Sequence, residues 1–451
     1  MFDLSQIQSW LDHSRNAHNV VGASLAVYAD GREYLAASGL LNIETGLDVT
    51  TDSAFQIGSI TKVFTATLLM QLVDEGSLDI EQPVQHYLPD FQLADREAAA
   101  RITVKQLMNH TSGIDGEFPV AHDPDDSSIA SYVAKLAQAP MLSPPGYIMA
   151  YCNAGWVVLG RIIEVLRQNR YPEIVMEHIC RPLGMAQAFC RPQDSLRYRC
   201  AVGHERGLLQ NEEARLAHAC YLPLHSAPTG SVLSMSAPDL LAFAKAHLAI
   251  QTRDDGKPLL NAESRLAMQT PTVELPPLQR VGFTHMGLGW SIGQHDAYTV
   301  LAHDGGTFGQ FAYLRVYPQQ NLAFALLTNS LSVSLFTELD RELSRELLDI
   351  EPETFPPQQS FTMVNGRYAG TYSNGSMRLK VEQQGESLTV QALDQQNQPL
   401  LPPIDAKPYL EDCFQLAVAV PILGDKFIFH DTDPQGRAPY LRIASRMLKR
   451  I

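Results

Sequence analysis

A serine and a lysine three residues apart open an apolar stretch, FQIGSITKVFTATLLMQLVDEG (55–76). Apolar residues recur at helical spacing, which predicts a buried helix over 59–76 that ends at Gly76. Residues three apart share a helix face, so Lys62 would lie beside Ser59. Burial lowers the pKa of a lysine from its usual value of about 10.4, and a neutral amine can accept a serine's proton. The pair is therefore a candidate nucleophile and base.

The same pair also has a purely structural interpretation. Ser59 would be the N-cap of the helix, and Lys62 would extend its ammonium group to water. Of the nine lysines in the chain, only Lys62 has a serine three residues before it. That count favours the chemical interpretation, but the stretch alone leaves both open.

Two later segments carry residue types that such a nucleophile needs. Tyr151-Cys152-Asn153 stands just before an apolar helical run, where a tyrosine could shuttle a proton and an asparagine could hold a substrate amide. His303-Asp304-Gly305-Gly306 leads into a predicted strand. The glycines would let substrate backbone approach, and a backbone N–H there could complete an oxyanion hole with that of Ser59.

These three motifs resemble those of the penicillin-recognising serine hydrolases: class C-type β-lactamases, penicillin-binding proteins, D-aminopeptidases and related esterases. The SxxK motif is Ser59-Ile60-Thr61-Lys62, the YxN motif is Tyr151-Cys152-Asn153, and the KTG motif has its HxG variant, His303-Asp304-Gly305. Further similar segments occur in the expected order between about 20 and 350: VKQLMNHTSGI (104–114), PPGYIMAYCNAGW (144–156), RPLGM (181–185), TGSVLSMSAPDLLAF (229–243) and GLGW (287–290).

The resemblance implies a role for each motif residue, without a metal or any other cofactor. Catalytic roles would belong to four residues: Ser59 as acylated nucleophile, Lys62 as its base, Tyr151 in proton transfer, and His303. Asn153 and Gly305 would bind substrate, and the N–H groups of Ser59 and Gly306 would form the oxyanion hole.

His303 departs from the lysine that usually opens the third motif. Histidine supplies a weaker, pH-dependent positive charge. Efficient β-lactam hydrolysis is therefore not expected. The resemblance implies that family members with the HxG variant are more often esterases, D-peptidases or acyl transferases.

Other residues are weaker candidates. Tyr372-Ser373-Asn374 also fits YxN, but it follows the third motif, and a turn between two strands explains it better. We interpret His110 as a loop-stabilising residue, and Asp115 and Glu117 follow it without a paired base. The acids of DPDDSS (123–128) read as a solvated turn and not as a metal site.

The order of predicted elements indicates an α+β fold in two domains. Residues 1–350 would form a β-lactamase/transpeptidase-like domain, an antiparallel sheet flanked by helices, with a helical insert at about 79–270. Residues 351–360 are a linker by composition. Residues 361–451 show short strand-like runs, which predict a small antiparallel β-barrel, lipocalin-like by the resemblance.

Local patterns predict individual elements of the first domain. They are a hairpin at 22–39 around Asp30-Gly31, helices at 129–139, 154–169, 236–250 and 334–349, and strands at 286–293, 311–318 and 322–329.

Composition restricts the partners and the compartment. The chain has 451 residues and a net charge of −15, which argues against nucleic acid or an anionic membrane as a partner. No apolar run is long enough to span a bilayer, and the N-terminus shows no secretory signal. The six cysteines form no CxxC pair, so reduced thiols and a cytoplasmic location are expected.

Three functions are compatible with the sequence. The first is a serine hydrolase that acts through an acyl-enzyme on amide or ester bonds of small peptide-like substrates, of D-peptidase or esterase type. The second uses the same site for transfer, as in penicillin-binding-protein-type thioesterases, which cyclise nonribosomal peptides and would take a peptidyl carrier protein as partner. The third is a catalytically silent binding or sensor protein on the same fold.

Overall fold

The structure is a computed structural model. It describes residues 4–119, 128–206, 212–275, 283–295, 298–349, 356–359, 361–394, 396–420 and 424–451.

A nine-stranded antiparallel sheet is the centre of the first part of the chain, in the order β3-β2-β1-β13-β12-β11-β10-β9-β8. Four further short strands pair as β4–β7 and β5–β6. The strands are β1 (Gly22–Ala29), β2 (Arg32–Asn42), β3 (Leu47–Asp48), β4 (Phe55–Gln56), β5 (His204–Glu205), β6 (Arg215–Leu216), β7 (Ser234–Met235), β8 (Val273–Glu274), β9 (His285–Met286), β10 (Ser291–Gln294), β11 (Thr299–Gly306), β12 (Phe311–Tyr317) and β13 (Leu322–Thr328).

The sheet joins strands from both ends of this region, as the element order predicted. The predicted hairpin is β1–β2, in which Ala29 pairs with Arg32 across the turn. Asp30 and Gly31 both have positive φ, 51° and 73°, which is what a two-residue type I′ hairpin turn requires. β1 then pairs with β13 from the far end of the sheet's sequence.

Helices cover both faces of the sheet and fill the segment between β4 and β8. They are α1 (Ile7–Ala17), α2 (Thr61–Asp74), α3 (Val84–Tyr87), α4 (Arg96–Arg101), α5 (Val104–Met108), α6 (Ile129–Lys135), α7 (Asn153–Arg167), α8 (Tyr171–Val175), α9 (Ala237–His247), α10 (Ala262–Gln269) and α11 (Val333–Leu348). Short 3-10 turns lie at Leu4–Gln6, Gly58–Ile60, Leu136–Gln138, Pro192–Arg197, Leu224–Thr229 and Pro318–Gln320, and a π turn at Met176–Cys180.

Helix α2 is buried over nearly its whole length. It packs on α9 through stacked Phe64 and Phe243 rings, whose centroids lie 3.7 Å apart. On the other face of the sheet, leucines of α1 and α11 form a second apolar cluster with β1 and β13. The sheet is thus buried on both sides, and α2 belongs to the larger of the two apolar clusters.

The prediction of one continuous strand at 286–293 is wrong. The strand predicted at 286–293 is two strands, β9 and β10, separated by a turn. The N–H of Gly287 donates to the carbonyl of Trp290 at 2.8 Å, and Gly289 has φ 87°. A side chain at Gly289 would press on Ala66 of α2, so this turn is packed against the buried helix.

The C-terminal part of the chain is a closed antiparallel barrel of eight strands. Its interior is filled by aromatic and aliphatic side chains, among them Tyr368, Phe414 and Phe429. The predicted linker, 351–360, lies largely outside the described residues. The barrel strands are β14 (Gly370–Ser373), β15 (Arg378–Gln384), β16 (Ser387–Leu393), β17 (Ile404–Leu410), β18 (Cys413–Val420), β19 (Gly424–His430), β20 (Tyr440–Ile443) and β21 (Arg446–Arg450).

The predicted fold class is confirmed: a mixed sheet-and-helix domain followed by a small antiparallel barrel. In the described ranges, no helix is long and apolar enough to cross a membrane.

Candidate active site

Ser59 lies in the 3-10 turn that leads from β4 into α2. The turn begins at Gly58, which has φ 51°. Ser59 is half-buried, whereas its neighbours Gly58 and Ile60 are buried. The serine is therefore held at the start of a buried helix and stays partly exposed.

Lys62 is fully buried, and its Nζ donates to Ser59 Oγ at 3.0 Å. It also donates to the carbonyl of Thr229 at 3.1 Å. Burial lowers the pKa of Lys62, and it outweighs the raising effects of Tyr151 and Glu117. The purely structural interpretation of the pair is wrong, because Lys62 does not reach water and Ile60, not Ser59, occupies the N-cap of α2.

Tyr151 faces the same ammonium group. Lys62 Nζ lies 4.8 Å from the centroid of the Tyr151 ring. Burial alone would raise the pKa of this phenol, but the positive charges of Lys62 and Arg446 and hydrogen bonds from Lys62 and Ser59 lower it overall. The first two sequence motifs therefore meet at one point, where both candidate proton acceptors have lowered pKa values.

The third motif lies at the end of β11, against the turn that carries Ser59. A side chain at Gly305 would lie 1.9 Å from the carbonyl oxygen of Ile57 and 2.8 Å from the backbone nitrogen of Ser59. The sequence analysis expects Gly305 to leave room for substrate, but the backbone of Ile57 and Ser59 fills the space beside Gly305. Gly306 is exposed, and its backbone lies against Gly58. This packing brings the N–H-bearing backbone of Ser59 and Gly306 together.

His303 is buried on β11, and its Nδ1 lies 2.7 Å from the carbonyl oxygen of Asp304. A carbonyl can only accept, so Nδ1 carries the proton and Nε2 has the lone pair in the neutral ring. The Asp304 carboxylate in turn accepts from the buried Arg315 of β12 at 2.6 Å. This ion pair fixes the end of β11 and the histidine on it.

Asn153 is the first residue of α7, and its amide donates to Glu117 Oε1 at 3.1 Å. The same carboxylate oxygen lies 3.0 Å from Nη1 of Arg446, a residue of the barrel strand β21. The guanidinium carbon of Arg446 lies 4.7 Å from the centroid of the Tyr151 ring. Sequence reasoning set Glu117 aside and missed Arg446, since neither has a motif spacing to mark it.

His110 is buried in a loop with φ 62° and supports the Tyr151 segment. Its Nδ1 accepts the N–H of Cys152 at 2.9 Å, and its ring stacks on Tyr151 with centroids 4.4 Å apart. Its Nε2 also faces an N–H donor, on Trp156, so protonation would remove every acceptor on the ring. Burial lowers the pKa of His110 well below its usual value, which keeps the ring neutral. The predicted loop-stabilising role fits this geometry, and its target is the catalytic loop itself.

The second YxN match belongs to the barrel core. Tyr372 is buried, and its hydroxyl lies 2.9 and 3.1 Å from the backbone carbonyl oxygens of Tyr368 and Ala438, which share its one proton. Asn374 Oδ1 accepts the N–H groups of Ser376 and Met377 at 3.0 and 2.9 Å, which makes it a turn residue. This segment is structural, as predicted.

A family model described as Beta-lactamase matches residues 7–348. The chain belongs to the β-lactamase family. It is therefore a serine hydrolase of the β-lactamase and penicillin-binding-protein type, as the three motifs predicted.

Individual relatives cover the chain to different extents. Penicillin-binding protein 4 of Amycolatopsis lactamdurans is 38% identical over 374 residues, which is 82% of this chain and 98% of that protein. The crystal structure of SurE, also solved with D-Leu, superposes with a TM-score of 0.78 at 28% identity over 99% of both chains. D-amino acid amidase from Ochrobactrum anthropi SV3 has a TM-score of 0.61 at 25% identity, over 74% of this chain and 93% of its own. The likeness to SurE therefore includes the C-terminal barrel.

Proposed function

We propose that the chain hydrolyses amide or ester bonds of small peptide-like substrates through an acyl-enzyme at Ser59. The observation that carries the proposal is the 3.0 Å contact between Ser59 Oγ and Nζ of the fully buried Lys62. A buried amine with a lowered pKa spends more time neutral at a given pH, and a neutral amine can accept the hydroxyl proton.

The reaction begins when Lys62, with Tyr151 beside it, takes the proton from Ser59 Oγ. The oxygen forms a bond to the substrate carbonyl carbon, and the N–H groups of Ser59 and Gly306 receive the negative charge on the carbonyl oxygen. The bond to the leaving group then breaks as the proton held by Lys62 passes through Tyr151 to that group. Asn153 and the exposed backbone at the end of β11 orient the acyl part. Water, activated by the same pair, releases the acyl group and regenerates Ser59.

A D-configured residue next to the scissile bond is part of this proposal. It is supported by the likeness to a D-amino acid amidase and to SurE, which was solved with D-Leu. His303 in place of the usual lysine supports peptide or ester substrates over β-lactams, because the carboxylate-binding lysine is missing.

A second candidate is acyl transfer to an amine, which would make the enzyme a peptide cyclase that receives its substrate from a carrier protein. The observation in its favour is the barrel, which packs on the Tyr151 loop through the Ser445 carbonyl and the Arg446 side chain. A wall on the side where the leaving group departs would limit the access of water to the acyl-enzyme.

Intact-mass measurement after exposure to three donors separates these candidates. The donors are a β-lactam, a D-alanyl ester and a peptidyl thioester, each with wild type and Ser59→Ala. We expect an adduct that Ser59→Ala lacks, and a carboxylic acid as product with the ester. A cyclic or amine-coupled product from the thioester would favour transfer. Turnover that persists in Ser59→Ala would overturn the acyl-enzyme.

A further inference from the structure

The barrel contacts the catalytic domain on the segment that carries Tyr151. The N–H of Tyr151 donates to the carbonyl of Ser445 at 3.2 Å. The buried guanidinium of Arg442 donates to the carbonyl of Met149, and Met447 packs with Ala150 in a small apolar cluster. Both the backbone and the side chains of this segment are therefore held by β20 and β21.

Arg446 is a residue of this interface whose side chain reaches the YxN motif. Its guanidinium lies over one face of the Tyr151 ring, while the His110 ring stacks on Tyr151 at 4.4 Å. It also pairs with Glu117, whose same oxygen accepts the Asn153 amide. One side chain of the barrel thus contacts Tyr151 directly and Asn153 through a single intermediate.

The position of Arg446 is fixed on both sides of the contact. Arg446 pairs with Ile443 across a two-residue turn, and Ala444 at its tip has φ 48°, which is uncommon for a residue with a side chain. On the other side, the barrel residue Gly375 touches Glu117: a side chain there would lie 2.3 Å from the Glu117 carbonyl oxygen. The ion pair of Arg446 and Glu117 therefore has the Ala444 turn on one side and the close approach of Gly375 to the Glu117 backbone on the other.

The charges around Tyr151 favour its deprotonated form. Lys62 from α2 and Arg446 from β21 are the cations that face it, and Ser59 donates to it. His110 is neutral, and the charge of Glu117 is engaged by Arg446 and Asn153. His303 lies close enough to act electrostatically on His110.

We propose that Arg446 is a positioning residue of the active site, supplied by the barrel. It holds Tyr151 through its guanidinium and Asn153 through Glu117, in the arrangement that proton transfer at Ser59 needs. The barrel is then a part of the catalytic centre. This inference rests on the proposed function, because it assigns Arg446 a role in acylation of Ser59.

The test uses the full chain and N-acetyl-D-alanine p-nitrophenyl ester, with the rate of Ser59→Ala subtracted. Its leaving group needs no proton, so the pH profile of kcat/KM reports the activation of Ser59. The variants are Arg446→Ala, Arg446→Lys and Glu117→Gln. Lys449→Ala is the matched control, since Lys449 is an exposed cation of the same strand.

We expect Arg446→Ala to lower kcat/KM about 10²-fold, the cost of a misplaced catalytic group. Its acid limb should move to higher pH, since loss of the cation raises the pKa of both Tyr151 and Lys62. Arg446→Lys should recover the position of the limb but only part of the rate, because an ammonium group lacks the planar fork. Glu117→Gln should lower the rate, and Lys449→Ala should match wild type.

Several outcomes would overturn the inference. A wild-type rate and limb in Arg446→Ala would do so, as would a rise in KM alone, which would assign Arg446 to substrate binding. If Arg446→Ala does not fold, the other two variants decide. A wild-type acid limb and a wild-type kcat/KM in both Arg446→Lys and Glu117→Gln would contradict the inference. In each case Ser59-dependent turnover by wild type would leave the proposed function standing. Its absence would overturn the proposed function itself.

Discussion

His110 lies almost parallel to Tyr151, with an angle of 22° between the rings, and accepts the N–H of the next residue, Cys152. The His110 side chain thus stacks on the ring of Tyr151, the candidate proton shuttle, and holds the adjacent backbone through the N–H of Cys152. Because His110 is buried, a change at this residue should affect both the geometry of the catalytic loop and the stability of the core.

Replacing His110 with phenylalanine would keep a flat ring under Tyr151 but leave the Cys152 N–H without an acceptor. A buried donor without a partner costs about 1–3 kcal/mol, so the free energy of unfolding should fall by that amount. Acylation of Ser59 should slow as well, by about tenfold, because the loop is no longer fixed. Urea denaturation and ester kinetics measure both effects. His86→Phe, at an exposed site, should change neither, and an unaffected His110→Phe would contradict this role.

The pH dependence of acylation follows from the lowered pKa values of Lys62 and Tyr151. Each group must be deprotonated to accept the proton of Ser59, so the rate should rise with pH. Since both pKa values are lowered, the midpoint of the rise should lie below the ordinary pKa values of lysine and tyrosine, 10.5 and 10.0. Stopped-flow acylation with an activated ester gives the profile.

Lys62→Met is the control for that profile. The rate should drop by about 10²–10⁴-fold, the usual contribution of a general base. The residual limb should move to higher pH, because Tyr151 loses the positive charge of Lys62. A wild-type profile in Lys62→Met would show that neither group is the proton acceptor.

Gly305 and Gly306 should respond differently to the same substitution. In Gly305→Ala the new methyl group would collide with the Ile57 carbonyl at 1.9 Å and push the turn that carries Ser59. We expect a loss of about 1–3 kcal/mol or more in stability and a large loss of activity. In Gly306→Ala the nearest atom is on the Phe311 ring at 3.2 Å, and the N–H is kept, so activity should be nearly retained. Equal activities of the two variants would contradict the packing argument.

The sequence predicted the parts of the site that lie in contiguous motifs. Ser59 and Lys62 share a helix end, and Tyr151 lies two residues before another helix, so local spacing was enough to identify them. Glu117 and Arg446 meet only because the barrel folds back onto the Tyr151 loop. No local pattern records a contact between residues so far apart in the chain.

The predictions of the fold also succeed where local patterns determine an element and fail where a tertiary contact does. The β1–β2 hairpin follows from alternation and its Asp-Gly turn, and the barrel follows from short strands between turn residues. The strand predicted at 286–293 fails because the turn at 287–290 is set by packing of Gly289 on Ala66, which is a tertiary contact.

The two YxN sites allow one last prediction, in which the same substitution separates catalysis from folding. Asn153→Ala removes one hydrogen bond to Glu117 at a half-buried position, so stability should change by less than about 1.5 kcal/mol. Activity should fall, because Asn153 orients the substrate. Asn374→Ala leaves the N–H groups of Ser376 and Met377 and the carbonyl of Met447 without their partner, which should cost about 2–3 kcal/mol.

Thermal melts and ester kinetics on both variants, measured at a temperature where each is folded, test the pair. Asn374→Ala should lose less kcat/KM there than Asn153→Ala, since Asn374 bonds to Ser376, Met377 and Met447 of the barrel and not to a motif residue. A greater loss of activity in Asn374→Ala than in Asn153→Ala would mean that the barrel site, and not the one at α7, takes part in the reaction.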